Sequence, residues 1–219
     1  MNDYATRTTP TKRSVGALFK RRAGNLAAGA AGAAMLIIVL VAGMWVIEVA
    51  DYVLPADFDS YGIRSWNPEG LTGIFLAPFL HAGFGHLMAN SLPLLILGFL
   101  AALRGIGRFL AASLIIIVVS GLGVWFTSSP TTVTVGASGL VFGYFGFVVA
   151  RGLFDRRALD IVIGIGVAVA YYSIIWGVLP GEAGISWQGH LFGLVGGIVA
   201  AWVLRRRRQA AVPASPSPM

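Results

Sequence analysis

The apolar residues of this chain are gathered into six long segments separated by shorter polar stretches. The segments span roughly residues 27–50, 84–103, 109–126, 138–150, 159–178 and 189–204. A helix needs about 20 residues to cross a hydrocarbon layer of ~30 Å. The first, third and fifth segments are continuous enough to do so. The pattern therefore predicts an all-α membrane protein, a bundle of six transmembrane helices.

The composition supports the membrane class and excludes several kinds of chemistry. Of the 219 residues, 57% are hydrophobic and 11% are charged, whereas soluble domains carry about 25% charged residues. The chain has no cysteine, which excludes disulfides, thiolate catalysis and thiolate metal sites. We find no metal-ligand cluster, phosphate loop or cofactor motif, so we expect neither a metal nor a cofactor.

The basic residues predict the orientation of the bundle. Fifteen of the 16 Lys and Arg lie before the first segment, between the second and third, between the fourth and fifth, or after the sixth. Only Arg64 falls on the other side. Because basic residues stay in the cytoplasm, both termini are predicted to be cytoplasmic. The net charge of +7 thus indicates topology and contact with the lipid bilayer, and we expect no nucleic-acid partner.

The two ends differ in composition from the apolar core. Residues 1–22 are polar and basic, and residues 209–219 contain three prolines among small residues. Both are expected to be disordered, which leaves residues 23–208 as the membrane domain. The outer loop 51–83 is rich in aromatic residues, so we expect it to lie in the membrane interface.

Among the polar residues inside the apolar segments, three stand out: Asn90, Ser138 and His190. Such residues are costly in a membrane and are candidates for function. At ~1.5 Å per residue, each lies about 20–22 Å from the arginine that marks the cytoplasmic end of its segment. All three are therefore predicted at one depth, roughly 10 Å below the outer surface of a ~30 Å core.

The fourth segment is too short to cross the membrane alone, and the stretch before it, residues 127–137, is polar. Irregular backbone at membrane depth is tolerated where it lines a wet cavity, so water is expected to reach Ser138 from outside.

Glycines recur at every fourth position beside the serine and the histidine: Gly139 and Gly143, and Gly189, Gly193 and Gly197. Such ladders let helices approach closely. Facing ladders would bring the serine hydroxyl within reach of the imidazole, as a nucleophile requires of its base. Taken singly, each feature also fits ordinary helix packing.

The segment Gly136-Ala-Ser-Gly139 resembles the GxSG motif of rhomboid proteases. It differs from the G-x-S-x-G elbow of soluble hydrolases because Leu140 occupies the second glycine position.

Two further stretches are similar to the same family. The run from His81 through His86 to Asn90 resembles its HxxxxHxxxN pattern, and Gly189-His190 with the glycines that follow resembles its last helix. The order of the motifs and the count of six segments also fit a rhomboid-like bundle.

The resemblance implies roles for individual residues. Ser138 would attack the scissile carbonyl and His190 would deprotonate it, as a dyad without a carboxylate. His86 and Asn90 would bind the oxyanion.

The resemblance also implies a supporting group around that dyad. Gly136 and Gly139 would frame the serine, and His81 would tie the outer loop to the bundle. Phe142 would stack on the catalytic imidazole, where many family members have tyrosine.

The resulting prediction is an intramembrane serine endopeptidase of the bacterial plasma membrane that cleaves transmembrane or membrane-proximal segments of membrane proteins. The alternative is a catalytically silent rhomboid-like binder of membrane proteins. A small transporter fits poorly, because we find neither an inverted repeat nor paired charges at the midplane.

Overall fold

The computed structural model describes residues 12–181 and 184–206, which form a mainly helical bundle. Its helices are α1 Lys12–Val53, α2 Gly73–Leu76, α3 Phe84–Ala102, α4 Ile106–Thr127, α5 Ser138–Asp155, α6 Ala158–Ala170 and α7 Trp187–Val203. Two short strands, β1 Ile63–Arg64 and β2 Val133–Thr134, pair in antiparallel orientation.

Each of the six predicted apolar segments contains one long helix. Among the described residues, α1, α3 and α4 are long and apolar enough to cross a membrane. Helix α6 and the turn after it together make a possible fourth span, while α7 is apolar but shorter. The length and hydropathy of these helices indicate a multi-pass membrane protein.

Helix α5 lies at the centre of the bundle and packs against α3, α4, α6 and α7. Two thirds of its residues are buried, among them Leu140, Tyr144 and Val148. The Tyr144 hydroxyl lies 2.7 Å from the Ser113 hydroxyl of α4. The helix that begins with Ser138 is therefore packed against neighbours on several sides.

The glycines of α5 and α7 face each other, as the ladder pattern predicts. A methyl group on Gly193 would overlap the carbonyl oxygen of Gly139, and one on Gly197 would overlap that of Gly143. Glycine is the residue that permits such an approach of two backbones. A hydroxyl from α4 joins the contact, since Ser120 Oγ donates to the Gly189 carbonyl at 2.9 Å.

The prediction of a continuous fifth helix was wrong. Helix α6 ends at Ala170, and a 3-10 turn, Tyr172–Val178, follows at an angle of 69°. No proline breaks this segment. The bend instead brings the backbone of Gly177 against the rings of Phe142 and His190, which a straight continuation of α6 would not do.

The N-terminal boundary also differs from the expectation. Helix α1 begins at Lys12, so part of the segment 1–22, expected to be disordered, is helical. Lysine, arginine, alanine and leucine, which are common there, all favour helix. Residues 1–11 and the tail 209–219 lie outside the described residues.

The segment 54–83, expected as an outer loop from residue 51, follows α1 and folds mainly as a series of short turns at one end of the bundle. Its strand β1 pairs with β2, which belongs to the stretch just before Ser138. Ser65 Oγ donates to the Val124 carbonyl at 3.1 Å, and Trp125 Nε1 donates to the Asn67 carbonyl at 2.9 Å. The loop is thus fastened both to α4 and to the chain that carries the candidate nucleophile.

Candidate active site

The backbone before Ser138 is shaped by Gly136, which has a φ of +118°. Its N–H donates to the Ala77 carbonyl at 2.8 Å. A side chain at this position would come within 2.6 Å of the His86 ring. Position 136 therefore requires glycine for two reasons: the positive φ and the close approach of the His86 imidazole.

His81 holds the next residue of the same stretch. The Ala137 N–H donates to His81 Nε2 at 3.3 Å, and the histidine is buried. Burial, and next to it the neighbouring His86, lowers the pKa of His81 to about 4. The ring is therefore neutral near pH 7, as a hydrogen-bond acceptor must be. This contact joins the loop that precedes α3 to the GxSG segment.

Helix α5 begins at Ser138, and the N–H groups of its first three residues have no hydrogen-bond partner within residues 12–181 and 184–206. Its cap residue, Ala137, provides no side-chain hydrogen bond, and the first N–H groups of a helix have no partner within the helix. Ser138, Gly139 and Leu140 all line a cavity of about 30 Å³. A water molecule needs roughly 10–15 Å³. The cavity can therefore hold water beside the serine, with backbone donors at its wall.

His190 lies in the first turn of α7 and is held on two sides. Its Nδ1 is 2.8 Å from the Gly177 carbonyl. Because a carbonyl can only accept, Nδ1 carries the proton and Nε2 presents its lone pair. The ring stacks on Phe142, with centroids 4.1 Å apart and an angle of 9° between the planes. This is the tautomer that a general base needs, and it is fixed without a carboxylate.

Ser138 is the first residue of α5 and His190 lies in the first turn of α7, and the glycine faces of these two helices are in contact. In the described part of the chain, however, the two side chains are not hydrogen-bonded to each other. The hydrogen bond expected between them is therefore not formed here. Ser138 is half-buried and His190 is buried. Catalytic hydrogen bonds are often long in the absence of substrate and shorten in the complex.

His86 and Asn90 lie one turn apart on α3. The Asn90 amide donates to the His86 carbonyl at 3.1 Å, which leaves its second N–H available. The His86 ring contacts Gly136 and lies 5.3 Å, between centroids, from the ring of His81. The structure thus brings His86 to the GxSG segment. Neither His86 nor Asn90 lines the cavity at Ser138.

Sequence reasoning missed two residues that shape this site. Ser186 caps α7, accepts from the Gly189 N–H at 3.2 Å and lines the cavity. A serine three residues before Gly189 is a readable capping signal. The second residue is Gly177, whose contribution is a backbone carbonyl. A pattern of side chains does not predict where a backbone carbonyl will lie.

No group of three or more His, Asp or Glu side chains is placed to hold a metal ion in residues 12–181 and 184–206.

Comparison with known proteins identifies the family. An uncharacterised protein of Mycobacterium tuberculosis is 45% identical over 176 residues, covering 77% of this chain and 73% of the relative. An uncharacterised protein of Mycobacterium leprae is 41% identical over 176 residues, covering 77% and 70%. The Bacillus subtilis protein YdcA, provisionally named a rhomboid protease, is 29% identical over 136 residues, covering 59% and 65%. The Rhomboid domain profile matches residues 68–207, more than half of the chain. The chain belongs to the rhomboid family.

Proposed function

We propose that this protein is an intramembrane serine endopeptidase that uses Ser138 as nucleophile and His190 as base. The observation that carries the proposal is the contact of His190 Nδ1 with a backbone carbonyl, from which the tautomer of the ring follows. Its Nδ1 is bound to the Gly177 carbonyl and its ring lies against Phe142. A buried imidazole with a fixed Nε2 lone pair, beside a helix that opens with serine, is the arrangement that nucleophilic catalysis requires.

In the proposed mechanism, His190 Nε2 takes the proton from Ser138 Oγ as the oxygen attacks the scissile carbonyl. The backbone N–H groups at the start of α5, whose residues line the cavity, would receive the oxyanion. His86 and the second N–H of Asn90 would add donors as the site closes on substrate. His190 then protonates the leaving amine, and a water molecule, deprotonated by the same histidine, hydrolyses the acyl-enzyme.

The proposal extends to topology and partners. Six crossings with both termini in the cytoplasm would place the cavity toward the outside, since the basic residues cluster at the opposite end of the bundle. The substrates would be transmembrane or membrane-proximal segments of other proteins. The relatives from mycobacteria and Bacillus support a bacterial plasma membrane as the location.

One observation favours a second candidate, a catalytically silent binder of membrane proteins. The side chains of Ser138 and His190 lack a mutual hydrogen bond among the described residues. A binder would need the fold and the cavity but not an activated serine.

A fluorophosphonate probe and a transmembrane reporter substrate decide between the two. The wild-type protein, reconstituted in liposomes, should react with the probe and cut the reporter, while Ser138→Ala and His190→Ala should do neither although they insert and fold. Ser129→Ala, an exposed serine in the loop before the site, should behave as wild type. A folded wild-type protein that neither reacts nor cuts would leave the binder as the correct assignment.

A further inference from the structure

Four arginines line a small cleft at the end of the bundle opposite Ser138. The cleft lies between the α3–α4 turn, the end of α5 and the end of α7. Its basic lining consists of Arg104, Arg108, Arg151 and Arg205, and Asp155 is the acidic residue among them.

The acidic residues nearby balance only part of this charge. Arg104 Nη2 pairs with Asp155 at 3.1 Å and also with Asp160. Arg151 Nε lies 3.6 Å from Asp160 Oδ1. Arg108 has no ion pair among the described residues. Two carboxylates thus face four guanidinium groups, which leaves an excess of about two positive charges by this count.

A buried donor in the cleft is also unsatisfied. Arg151 is only 4% exposed, and its Nη1 donates to the Leu100 carbonyl at 2.8 Å. Its Nε has no hydrogen-bond partner among the described residues, because the contact with Asp160 is too long. The charge of Arg151 is thus paired with Asp160, but its Nε–H lacks a hydrogen bond within residues 12–181 and 184–206. Because a buried donor without an acceptor is costly, an additional acceptor would be favoured here.

The surface on either side of the cleft is apolar. Leu103, Ile106 and Leu110 are exposed near Arg104 and Arg108, as are Trp202 and Val203 beside Arg205. The Arg205 guanidinium also lies 4.8 Å from the centre of the Trp202 ring. A ligand that fits here must carry negative oxygen atoms at one end and hydrocarbon at the other.

We propose that this cleft binds the phosphate of an anionic phospholipid, with the acyl chains lying over the exposed residues of α4 and α7. Arginine forks match the paired oxygens of a phosphate. A phosphodiester would supply the acceptor that Arg151 lacks and would offset the excess charge. The site lies apart from Ser138, and the proposal does not depend on proteolytic activity.

The test uses the full-length protein in a neutral detergent, titrated with dioleoyl phosphatidylglycerol or dioleoyl phosphatidylcholine. Native mass spectrometry counts the retained lipid, and thermal unfolding reports stabilisation. The phosphatidylglycerol should be retained and should raise the Tm, whereas phosphatidylcholine should not. The double substitution Arg108→Gln, Arg205→Gln removes two positive charges from the cleft and leaves the ion-paired Arg104 and Arg151 in place. It should weaken phosphatidylglycerol binding at least about tenfold.

The matched control is Arg157→Gln combined with Arg64→Gln, two exposed arginines outside the cleft. It loses the same charge and should bind the lipid as wild type does. Equal weakening in both double variants would overturn a defined site and leave only general charge attraction. Equal retention of the two lipids would also overturn it. If inorganic phosphate stabilises the protein as much as the lipid and displaces it, the ligand is free phosphate and the lipid assignment fails.

Discussion

The contact between the glycine ladders offers a quantitative test of how the site is assembled. In Gly193→Ala, the new methyl group would overlap the Gly139 carbonyl. Gly193 lies one turn after His190, and Gly139 directly follows Ser138. The substitution therefore acts as a wedge between the two helix starts that carry the proposed nucleophile and base, without touching either side chain.

The size of the effect follows from two opposing terms. Non-bonded heavy atoms prefer about 3.5–4.0 Å, so relief of the overlap requires the helices to separate by on the order of 1 Å. Overpacking of this kind costs about 1–3 kcal/mol, against which alanine gains roughly 1 kcal/mol in helix propensity. The net loss of stability is thus small, about 0–2 kcal/mol. A displacement of ~1 Å of catalytic groups, by contrast, can cost ~10²-fold in rate.

Turnover of a transmembrane reporter per folded molecule, measured with thermal unfolding in the same detergent, separates the two effects. Gly193→Ala should lose about 10²-fold in turnover with a modest change in Tm. The matched control is Gly166→Ala on α6, where an added methyl group would meet no neighbour within 4 Å. It should keep native turnover. A folded Gly193→Ala protein with turnover within about twofold of wild type would refute the requirement for close helix approach.

Three further predictions follow from individual contacts. His86→Ala should lower turnover by ~10²–10³-fold, as loss of an oxyanion donor does. A fall in Tm with unchanged turnover per folded molecule would show that His86 has a structural role alone. The chain has no cysteine, so a single introduced cysteine can be labelled without background. Ser138→Cys should react with an impermeant thiol reagent added outside, and the exposed Leu153→Cys should react only with reagent on the cytoplasmic side. Reversed labelling would invert the proposed topology. Burial, with help from neighbouring carboxylates, raises the pKa of Asp59 to about 6, so its ionisation opposes folding as the pH rises through 6. Asp59→Asn should therefore raise the Tm at pH 8 and lose this advantage as the pH falls toward 4. A constant gain across this range would contradict the assignment.

The elements that the sequence predicted well are those that depend on the type and spacing of side chains. Long apolar runs with basic flanks marked the positions of all six long helices, because both signals are set by composition. The ladder Gly139, Gly143, Gly193 and Gly197 marked the face where α5 meets α7, because few other residues permit backbones to approach that closely.

The elements it missed depend on backbone atoms or on tertiary partners. The bend after Ala170 follows a segment as apolar as the others, and only the contact of Gly177 with His190 explains it. The ion pairs of Arg104 were also not predicted. The membrane topology alone accounted for the distribution of basic residues, so no partner was expected for this arginine. Asp155 and Asp160 stand near that arginine only once α5 and α6 have folded back on the α3–α4 turn.

The central position of α5 has a consequence for biogenesis. Among the described helices, α5 is not one of those long and apolar enough to cross a membrane alone, and its last turns carry Arg151 and Asp155, whose partners come from α3 and the α3–α4 turn. Helices α1, α3 and α4 are apolar enough to enter the bilayer first, whereas α5 and α7 gain their stability by docking onto them. The two proposed reactive side chains are delivered separately by these late helices, so we expect a newly made chain to be harmless to its neighbours until its last helix has docked.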